Sequence, residues 1–192
     1  MDLASQCGAG IFVSFAGPPF GAQGTVSRYR SSSVATVSAG YISSERVRCL
    51  KYKLLTNNQP ITTGYRALFP KLLANNVERL LVLCTPSFRC ESDATSLKWW
   101  LGRGTIKLFS PGQYQEMIGI GEAVTALDVN DRAHWTLFRV GGLTDAEETP
   151  VKATYLGSGE DGTWISRAIV ARWVLDEAKE GKWVGGIPYI CN

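Results

Sequence analysis

The fold is decided by the stretch ITTGYRALFPKLLANNVERLLVLCTPS, residues 61–87, in which two hydrophobic patterns follow each other directly. From Thr63 to Asn76 the apolar side chains recur three and four positions apart, which predicts an amphipathic helix with Pro70 as a flaw. Residues 79–84, RLLVLC, form a continuous apolar run that Thr-Pro-Ser at 85–87 ends. A short run of this kind predicts a strand buried on both faces.

Two further strands are predicted on either side of this stretch. Residues 9–15, AGIFVSF, form a short apolar run that the Gly-Pro-Pro of residues 17–19 closes. Residues 135–140, WTLFRV, form another, and Gly141 and Gly142 stop it. Their short length and their Gly or Pro stops favour strands over helices.

Two further helices complete the pattern. Apolar spacing predicts one at 114–127 and another at 167–180, with Ser166 as the N-cap and Gly181 as the end of the second. The segment between residue 88 and the helix at 114, which holds two tryptophans, is predicted to be irregular. Alternating strands and helices predict an α/β fold with a parallel sheet and flanking helices.

The composition is that of one globular domain over residues 1–192. The apolar share is 45%, which is ordinary for a globular protein. No apolar run reaches the roughly 18 residues that a membrane span needs, and no basic residues lead into a signal-type stretch. We therefore expect a cytoplasmic protein without a membrane partner.

The five cysteines do not form a recognisable site. Their number is odd, they show no CxxC spacing, and the chain has a single histidine, His134. A disulfide scaffold or a metal site is therefore not expected. Cys84 lies inside an apolar run, where a buried thiol that behaves as a small hydrophobe is the expected state.

Positive charge is concentrated in the segment from Val26 to Gln59. Six Lys and Arg residues face one Glu there, a local net charge of +5 against +3 for the whole chain. Because the charge does not form a patch on a regular element, we expect no nucleic-acid partner. The segment is Ser-rich, weakly periodic and inserted between a strand stop and a helix start.

In the order of its segments the chain resembles the NmrA-like, atypical short-chain dehydrogenase/reductase family, in particular its fungal NAD(P)-binding proteins. The resemblance covers most of the chain outside residues 26–59. It is carried by five segments: FVSFAGPPFG (12–21), ITTGYRALFPKLLANNVERLLVLCTPS (61–87), YQEMIGIGEAV (114–124), HWTLFRVGGLTD (134–145) and TWISRAIVARWVLDEAKEGKWVGGIP (163–188).

The resemblance implies the C-terminal half of a Rossmann-type NAD(P)-binding domain. The strands at 12–15, 80–84 and 135–140 would be the fourth, fifth and sixth of the family's sheet. The first three would precede residue 1, together with the glycine-rich turn that binds the cofactor pyrophosphate. The glycines at 8–10 precede a strand and those at 119–121 lie inside a helix, so neither set can form that turn.

The resemblance also implies which residues would form the remaining wall of an NAD(P) site. By it, the end of the fourth strand passes the adenosine, the end of the fifth carries groups on the catalytic side, and the end of the sixth lies near the nicotinamide. The expected cofactor-binding residues are Ala16, Gly17, Pro18, Thr85, Pro86, Gly141 and Gly142. A Gly-Pro turn that only ends a strand is the alternative for the first three.

Tyr114 and Ser87 are the expected catalytic residues. Short-chain dehydrogenases use a tyrosine as proton donor, with a lysine four residues later whose charge lowers the tyrosine pKa. Tyr114 lies near the matching helix, but the residue four positions on is Ile118. A capping aromatic is therefore the alternative for Tyr114, and His134 is expected to be a surface residue.

The segment at 26–59 has a specific explanation. Removing it would join residues 25 and 60 in the short loop that the family pattern expects. Val26-Ser27 can be encoded by GTAAGT, Leu55-Thr56 by CTAACN and Gln59 by CAG, which are a splice donor, a branch point and an acceptor. The segment is thus a candidate translated intron. A mobile basic loop that binds an acidic partner is the alternative.

The missing first strand would leave residues 11–15 as an exposed apolar edge. Such an edge promotes association with another chain unless the segment at 26–59 covers it. Self-association through this strand is therefore an expectation.

The functional expectation is an NAD(P)-dependent oxidoreductase of fungal small-molecule metabolism, with a truncated and inactive form of it as the open alternative for this chain. Its substrate is an unknown small molecule. Two alternatives stay open: a non-catalytic NmrA-like protein that senses redox state through a bound dinucleotide, and an isomerase or cyclase that reuses the cleft.

Overall fold

The computed structural model describes residues 11–14, 34–35, 59–77, 79–127, 133–146 and 150–192. The helices in these ranges are α1 (Pro60–Ala74), α2 (Leu97–Phe109), α3 (Pro111–Thr125) and α4 (Arg167–Glu180). The strands are β1 (Ile11–Ser14), β2 (Val34–Ala35), β3 (Arg79–Cys84), β4 (His134–Val140), β5 (Gly142–Thr144), β6 (Lys152–Thr154), β7 (Trp164–Ser166) and β8 (Tyr189–Cys191).

Six strands form one sheet in the order β2-β1-β3-β4-β8-β6. All neighbours in it run parallel except β6, which is antiparallel to β8. Strands β5 and β7 form a separate parallel pair. The predicted α/β fold with a parallel sheet and flanking helices is confirmed.

Strand β3 is the centre of the sheet. It pairs with β1 on one side and with β4 on the other, in a register that runs from Arg79 opposite His134 to Cys84 opposite Arg139. All six of its residues are buried. Because side chains alternate along a strand, Leu80 contributes to one face of the sheet and Leu81 to the other. The predicted strand at 79–84 is confirmed residue for residue.

The two faces carry different helices. On one face α1 and α3 pack together, and their Phe69 and Ile120 side chains lie in the same core cluster as Leu80. On the other face α4 covers the sheet, with Trp173 packed against Phe138 at 5.5 Å between ring centroids. Both faces of the central strands are therefore closed, which explains their unbroken apolar sequence.

Helix α4 confirms the prediction for residues 167–180. It ends at Gly181, which has a left-handed φ of 62° and so adopts a conformation that favours glycine. Ser166 is in the predicted N-cap position, but its side chain makes no capping hydrogen bond. The hydroxyl is buried and has no partner among the described atoms.

Helix α1 begins at Pro60, three residues before the predicted start at Thr63. Its first turn is capped by Glu116 of α3, whose carboxylate accepts hydrogen bonds from the N–H groups of Ile61 (3.2 Å) and Thr62 (3.0 Å). Because this cap lies more than 50 residues away, the local sequence does not reveal it. The helix continues through Pro70 to Ala74.

Helix α2 corrects the prediction of an irregular segment after residue 88. It is fixed by Trp99, which is buried with Leu156 and Tyr189 and donates its indole N–H to the carboxylate of Asp161. Glycines at 102 and 104 and exposed apolar residues on the outer side obscure the helical pattern in the sequence. Tertiary packing rather than propensity therefore stabilises this helix.

Strand β2 pairs with the edge of β1 that was predicted to be exposed. Val34 and Ala35 pair in parallel with Ile11 and Phe12, so two of the four β1 residues have a backbone partner on that side. Apart from Val34, Ala35 and Gln59, the segment at 26–59 lies outside the described residues. Self-association through this edge stays a prediction.

Within the described ranges, no helix combines the length and the apolar character needed to cross a bilayer.

Candidate functional site

The candidate site is the edge where the parallel strands β1, β3, β4 and β8 have their carboxyl ends. Open parallel sheets bind ligands at this edge, because the loops that leave the strands form a crevice there. Thr85, Pro86 and Ser87 follow β3 directly, and Gly141 follows β4. The residues predicted to line the adenosine side lie outside the described residues; they are Ala16, Gly17 and Pro18.

A tight turn leaves the end of β3. The Phe88 N–H donates to the Thr85 carbonyl oxygen at 3.2 Å, and the Ser87 N–H donates to the Thr85 hydroxyl at 3.4 Å. Pro86 and Ser87 are buried. The Ser87 hydroxyl is fully covered and has no hydrogen-bond partner among the described atoms. An enclosed hydroxyl of this kind costs about 1–3 kcal/mol.

The glycines after β4 are packed against this chain itself. A Cβ at Gly141 would overlap the Thr163 carbonyl oxygen and lie 2.6 Å from the Tyr189 hydroxyl. A Cβ at Gly142 would overlap the Trp164 ring. Internal packing therefore accounts for both glycines, and their contact with a cofactor stays a prediction.

A buried ion pair fixes the loop after β3. Arg139, in β4, donates from Nη1 to Oδ2 of Asp93 at 2.6 Å and from Nη2 to Oδ1 at 2.8 Å. The same guanidinium donates to the carbonyl oxygens of Phe88 (3.2 Å) and Ile187 (2.8 Å). The arginine thus joins β4, the loop after β3 and the segment before β8.

Asp93 extends this network through the backbone. Its carboxylate accepts hydrogen bonds from the N–H groups of Cys90 (2.9 Å) and Leu156 (3.0 Å). Burial opposes ionisation, but the hydrogen bonds from Arg139 and Cys90 outweigh it, so the pKa of Asp93 is lowered. The carboxylate is therefore charged at neutral pH.

Arg89 lies between two fixed residues at this edge. The Phe88 carbonyl is bound by Arg139, the Cys90 N–H is bound by Asp93, and the Phe88 ring packs on Gly121 of α3. The Arg89 side chain is exposed. The backbone of this residue is therefore held in place while its guanidinium faces solvent.

Tyr114 lies in the first turn of α3 and is half-buried. It interacts electrostatically with Arg103 of α2, which the sequence does not reveal. Burial lowers the pKa of Arg103 and the charge of Arg89 lowers it further, while Tyr114 acts in the opposite direction. Ile118, at the position of the expected lysine, is half-buried.

Four charged residues of this edge are absent from the sequence-based prediction: Arg89, Asp93, Arg103 and Arg139. Arg139 could have been identified from the sequence, since it is the one charged residue in the apolar strand at 135–140. A charge within a buried strand needs a partner. Arg103 can be placed at this edge only once residues 97–109 are known to form a helix. In that helix it lies one turn after the buried Trp99. Nothing local identifies Arg89.

Among the described residues, no glycine-rich turn leads from a strand into a helix, as a dinucleotide pyrophosphate site of the Rossmann type would require. The N-terminus of α1 is closed by the Glu116 carboxylate, which would repel a phosphate. Gly119 and Gly121 lie inside α3, as predicted. Gly119 packs on Thr62, and Gly121 packs on Phe88.

Metal and thiol chemistry have little support in the part of the chain that the structure describes. No three His, Cys, Asp or Glu side chains are grouped there as a metal site would require. Cys84, Cys90 and Cys191 are free thiols. Burial raises the pKa of the Cys84 thiol to about 12, and the thiol donates to the Met117 carbonyl oxygen at 3.3 Å. The predicted buried thiol at Cys84 is confirmed.

Comparison with known proteins gives structural neighbours only. No family model matches the chain, and no curated protein matches its sequence. A short-chain dehydrogenase/reductase of the wide type from Veillonella parvula, crystallised in complex with NADP, superposes with a TM-score of 0.53 at 13% identity. That similarity covers 68% of this chain and 58% of the other.

Two structures of ChuY from Escherichia coli, one of them described as an anaerobilin reductase, give TM-scores of 0.52 and 0.50 at 14% and 13% identity. They cover 67% and 66% of this chain, which spans 60% and 55% of their length. The described part of the chain therefore shares a Rossmann-like α/β fold with these neighbours.

Proposed function

We propose that this chain is part of an NAD(P)-dependent oxidoreductase of the atypical, NmrA-like short-chain dehydrogenase/reductase type. The observation that carries the proposal is the parallel sheet with helices on both faces, in which Tyr114 stands in the first turn of α3. Structural neighbours that include an NADP complex support the cofactor class. The assignment to fungal small-molecule metabolism rests on the sequence segments alone.

In this proposal Tyr114 donates a proton to the oxygen of a substrate carbonyl. Arg103, which interacts electrostatically with Tyr114, would take the place of the usual lysine. The nicotinamide cofactor, when bound, supplies the hydride. The described residues include no glycine-rich turn for its pyrophosphate, so that group would be held by residues outside them.

The remaining predicted residues would form the walls of the cleft. Thr85 and Pro86 would lie on the catalytic side with Ser87, whose hydroxyl could reach a ligand only if the turn after β3 moved. Gly141 and Gly142 would pass near the nicotinamide. The residues proposed for the adenosine side are Ala16, Gly17 and Pro18.

The experiment is carbonyl reduction by the full chain with NADPH, measured with Tyr114→Phe and Tyr155→Phe. Both substitutions remove one hydroxyl, but the Tyr155 ring packs against Trp183, in the segment before β8. We expect Tyr114→Phe to lower kcat by at least about 100-fold and Tyr155→Phe to leave it unchanged. Equal activity of all three proteins would overturn the role of Tyr114.

One observation favours the second candidate, a non-catalytic protein that senses redox state. Ile118 replaces the lysine that the family's proton transfer uses. Saturable NADPH binding without turnover on any carbonyl substrate would support this alternative over the enzyme. A cyclase or isomerase would instead convert its substrate without oxidising NADPH.

A further inference from the structure

Helix α2 presents an apolar stripe to solvent. Four large apolar side chains on it are between 53% and 75% exposed: Leu97, Trp100, Leu101 and Leu108. Their spacings of three, four and seven residues place them on one face of the helix. Gly104 lies on the same face, and a Cβ there would meet nothing within 4 Å. An exposed apolar stripe of this kind marks a contact surface.

The opposite side of α2 is anchored to the domain. Trp99 is buried with Leu156 and Tyr189, and the Trp99 and Tyr189 rings meet edge-on at 5.1 Å between centroids. The Trp99 indole N–H also donates to the Asp161 carboxylate. Rotating the helix to bury its stripe would break these contacts. The stripe therefore faces outward because the fold holds it there.

The charge around the stripe is positive. Residues 94–115 contain three basic residues and no acidic one. By helical spacing Lys98 and Lys107 lie on opposite flanks of the stripe, and Arg103 lies on the same side as Lys107. The Lys98 ammonium is 3.4 Å from the carboxylate of Asp161, which neutralises it. Arg103 and Lys107 therefore give this surface its net positive charge.

This charge argues against a second copy of the chain as the occupant. In a two-fold contact the same helix lies on both sides, so the basic residues of one α2 would meet those of the other. Because residues 94–115 contain no Asp or Glu, no local carboxylate would offset the repulsion. An acidic peptide is also disfavoured, since helical peptides are usually bound in grooves and an outward helix face is convex.

We propose that α2 docks this protein on a membrane surface that contains anionic lipids. The apolar stripe enters the boundary between headgroups and acyl chains, and Arg103 and Lys107 contact the headgroup phosphates. Trp100 suits this boundary, because its ring is apolar and its indole N–H is polar.

The length of α2 fits this mode of binding. With 13 residues the helix is about 20 Å long, so it lies along the surface and does not cross the bilayer. The expectation of a protein without a membrane partner rested on membrane spans and signal-type segments. A helix that lies on the surface needs neither.

The test is sedimentation of the full chain with vesicles of phosphatidylcholine, alone or with about one-third phosphatidylserine. We expect binding to the anionic vesicles that is stronger than to the neutral ones and falls as salt is added. Leu108→Gln should weaken this binding by at least about tenfold. Leu175→Gln is the matched control, since Leu175 of α4 is also an exposed helical leucine, and it should leave binding unchanged.

The contribution of charge is tested separately. Lys107→Gln should weaken binding to the anionic vesicles by about fivefold. Lys71→Gln, which removes an exposed charge on α1, should leave it nearly unchanged. Circular dichroism checks that each variant keeps its helices. Because no cofactor is added, the outcome does not depend on the proposed oxidoreductase function.

Three results would overturn the proposal. The first is equal or no binding of the wild-type chain to the two kinds of vesicle. The second is an equal loss of binding in Leu108→Gln and Leu175→Gln. The third is self-association that Leu108→Gln abolishes, without vesicle binding, which would assign the stripe to a second copy of the chain.

Discussion

Arg139 and Asp93 form a fully buried, bidentate ion pair that joins β4 to the loop after β3. Their side chains are 0% and 1% exposed, and the two N–O distances are 2.6 and 2.8 Å. The same pair fixes the backbone on both sides of Arg89. The architecture of the candidate site therefore depends on it.

Asp93→Asn should destabilise the chain by about 3–5 kcal/mol, because it leaves the Arg139 charge buried without a counterion. Denaturant unfolding measures the change. Asp145→Asn is the matched control, since Asp145 pairs with Arg167 at 2.6 Å but is 87% exposed. The control should cost no more than about 1 kcal/mol. Equal losses of stability in the two variants would contradict the conclusion that burial makes the Arg139–Asp93 pair important for folding.

Stability should fall in acid through the same carboxylate. Because the pKa of Asp93 is lowered in the folded state, the pair contributes its full stability above the unfolded-state pKa and loses it as the pH falls through the folded-state value. The denaturation midpoint between pH 7 and pH 2 should drop more steeply for wild type than for Asp93→Asn. Parallel curves would show that another group governs the acid transition.

Gly121 and Gly104 provide a contrast between two helical glycines. A Cβ at Gly121 would overlap the Phe88 ring and displace the turn before Arg89, whereas a Cβ at Gly104 meets nothing within 4 Å. Gly121→Ala should therefore cost about 1–3 kcal/mol. Gly104→Ala, in the interior of α2, should stabilise the chain by up to about 1 kcal/mol. Thermal unfolding of both variants distinguishes them, and a neutral Gly121→Ala would contradict the packing described for Phe88.

The elements that the sequence predicted accurately carry their own signals. β3 has an unbroken apolar run, and α4 has a helical period that Gly181 ends. α2 was missed because its stability comes from Trp99, whose partners Leu156 and Tyr189 lie far along the chain. The short strands β5 to β8 lack any periodic pattern, since three residues are too few to show one.

The candidate site was predictable only in outline. The carboxyl ends of β3 and β4 follow from the strand pattern, so Thr85 and Gly141 could be named. Arg103 could not be placed, because its position depends on the missed α2. Arg89 could not be named either, because its neighbours Phe88 and Cys90 are fixed only by tertiary contacts.

The hypothesis of a translated intron at residues 26–59 makes a prediction about the gene. Codons 26 and 27 should read GTAAGT or a close variant, and codon 59 should be CAG. Sequencing the genomic locus and the transcript tests this directly. The hypothesis gains weight from a spliced transcript that lacks the 34 codons, and a mature transcript that keeps them would contradict it.

The proposed function is that of an oxidoreductase that uses a nicotinamide cofactor. The most direct measurement is a titration of the full chain with NADPH, followed through the fluorescence of its six tryptophans. We expect a saturable change in fluorescence with a micromolar to submillimolar midpoint. The absence of any saturable change up to millimolar NADPH would contradict both the enzyme and the redox-sensing alternative.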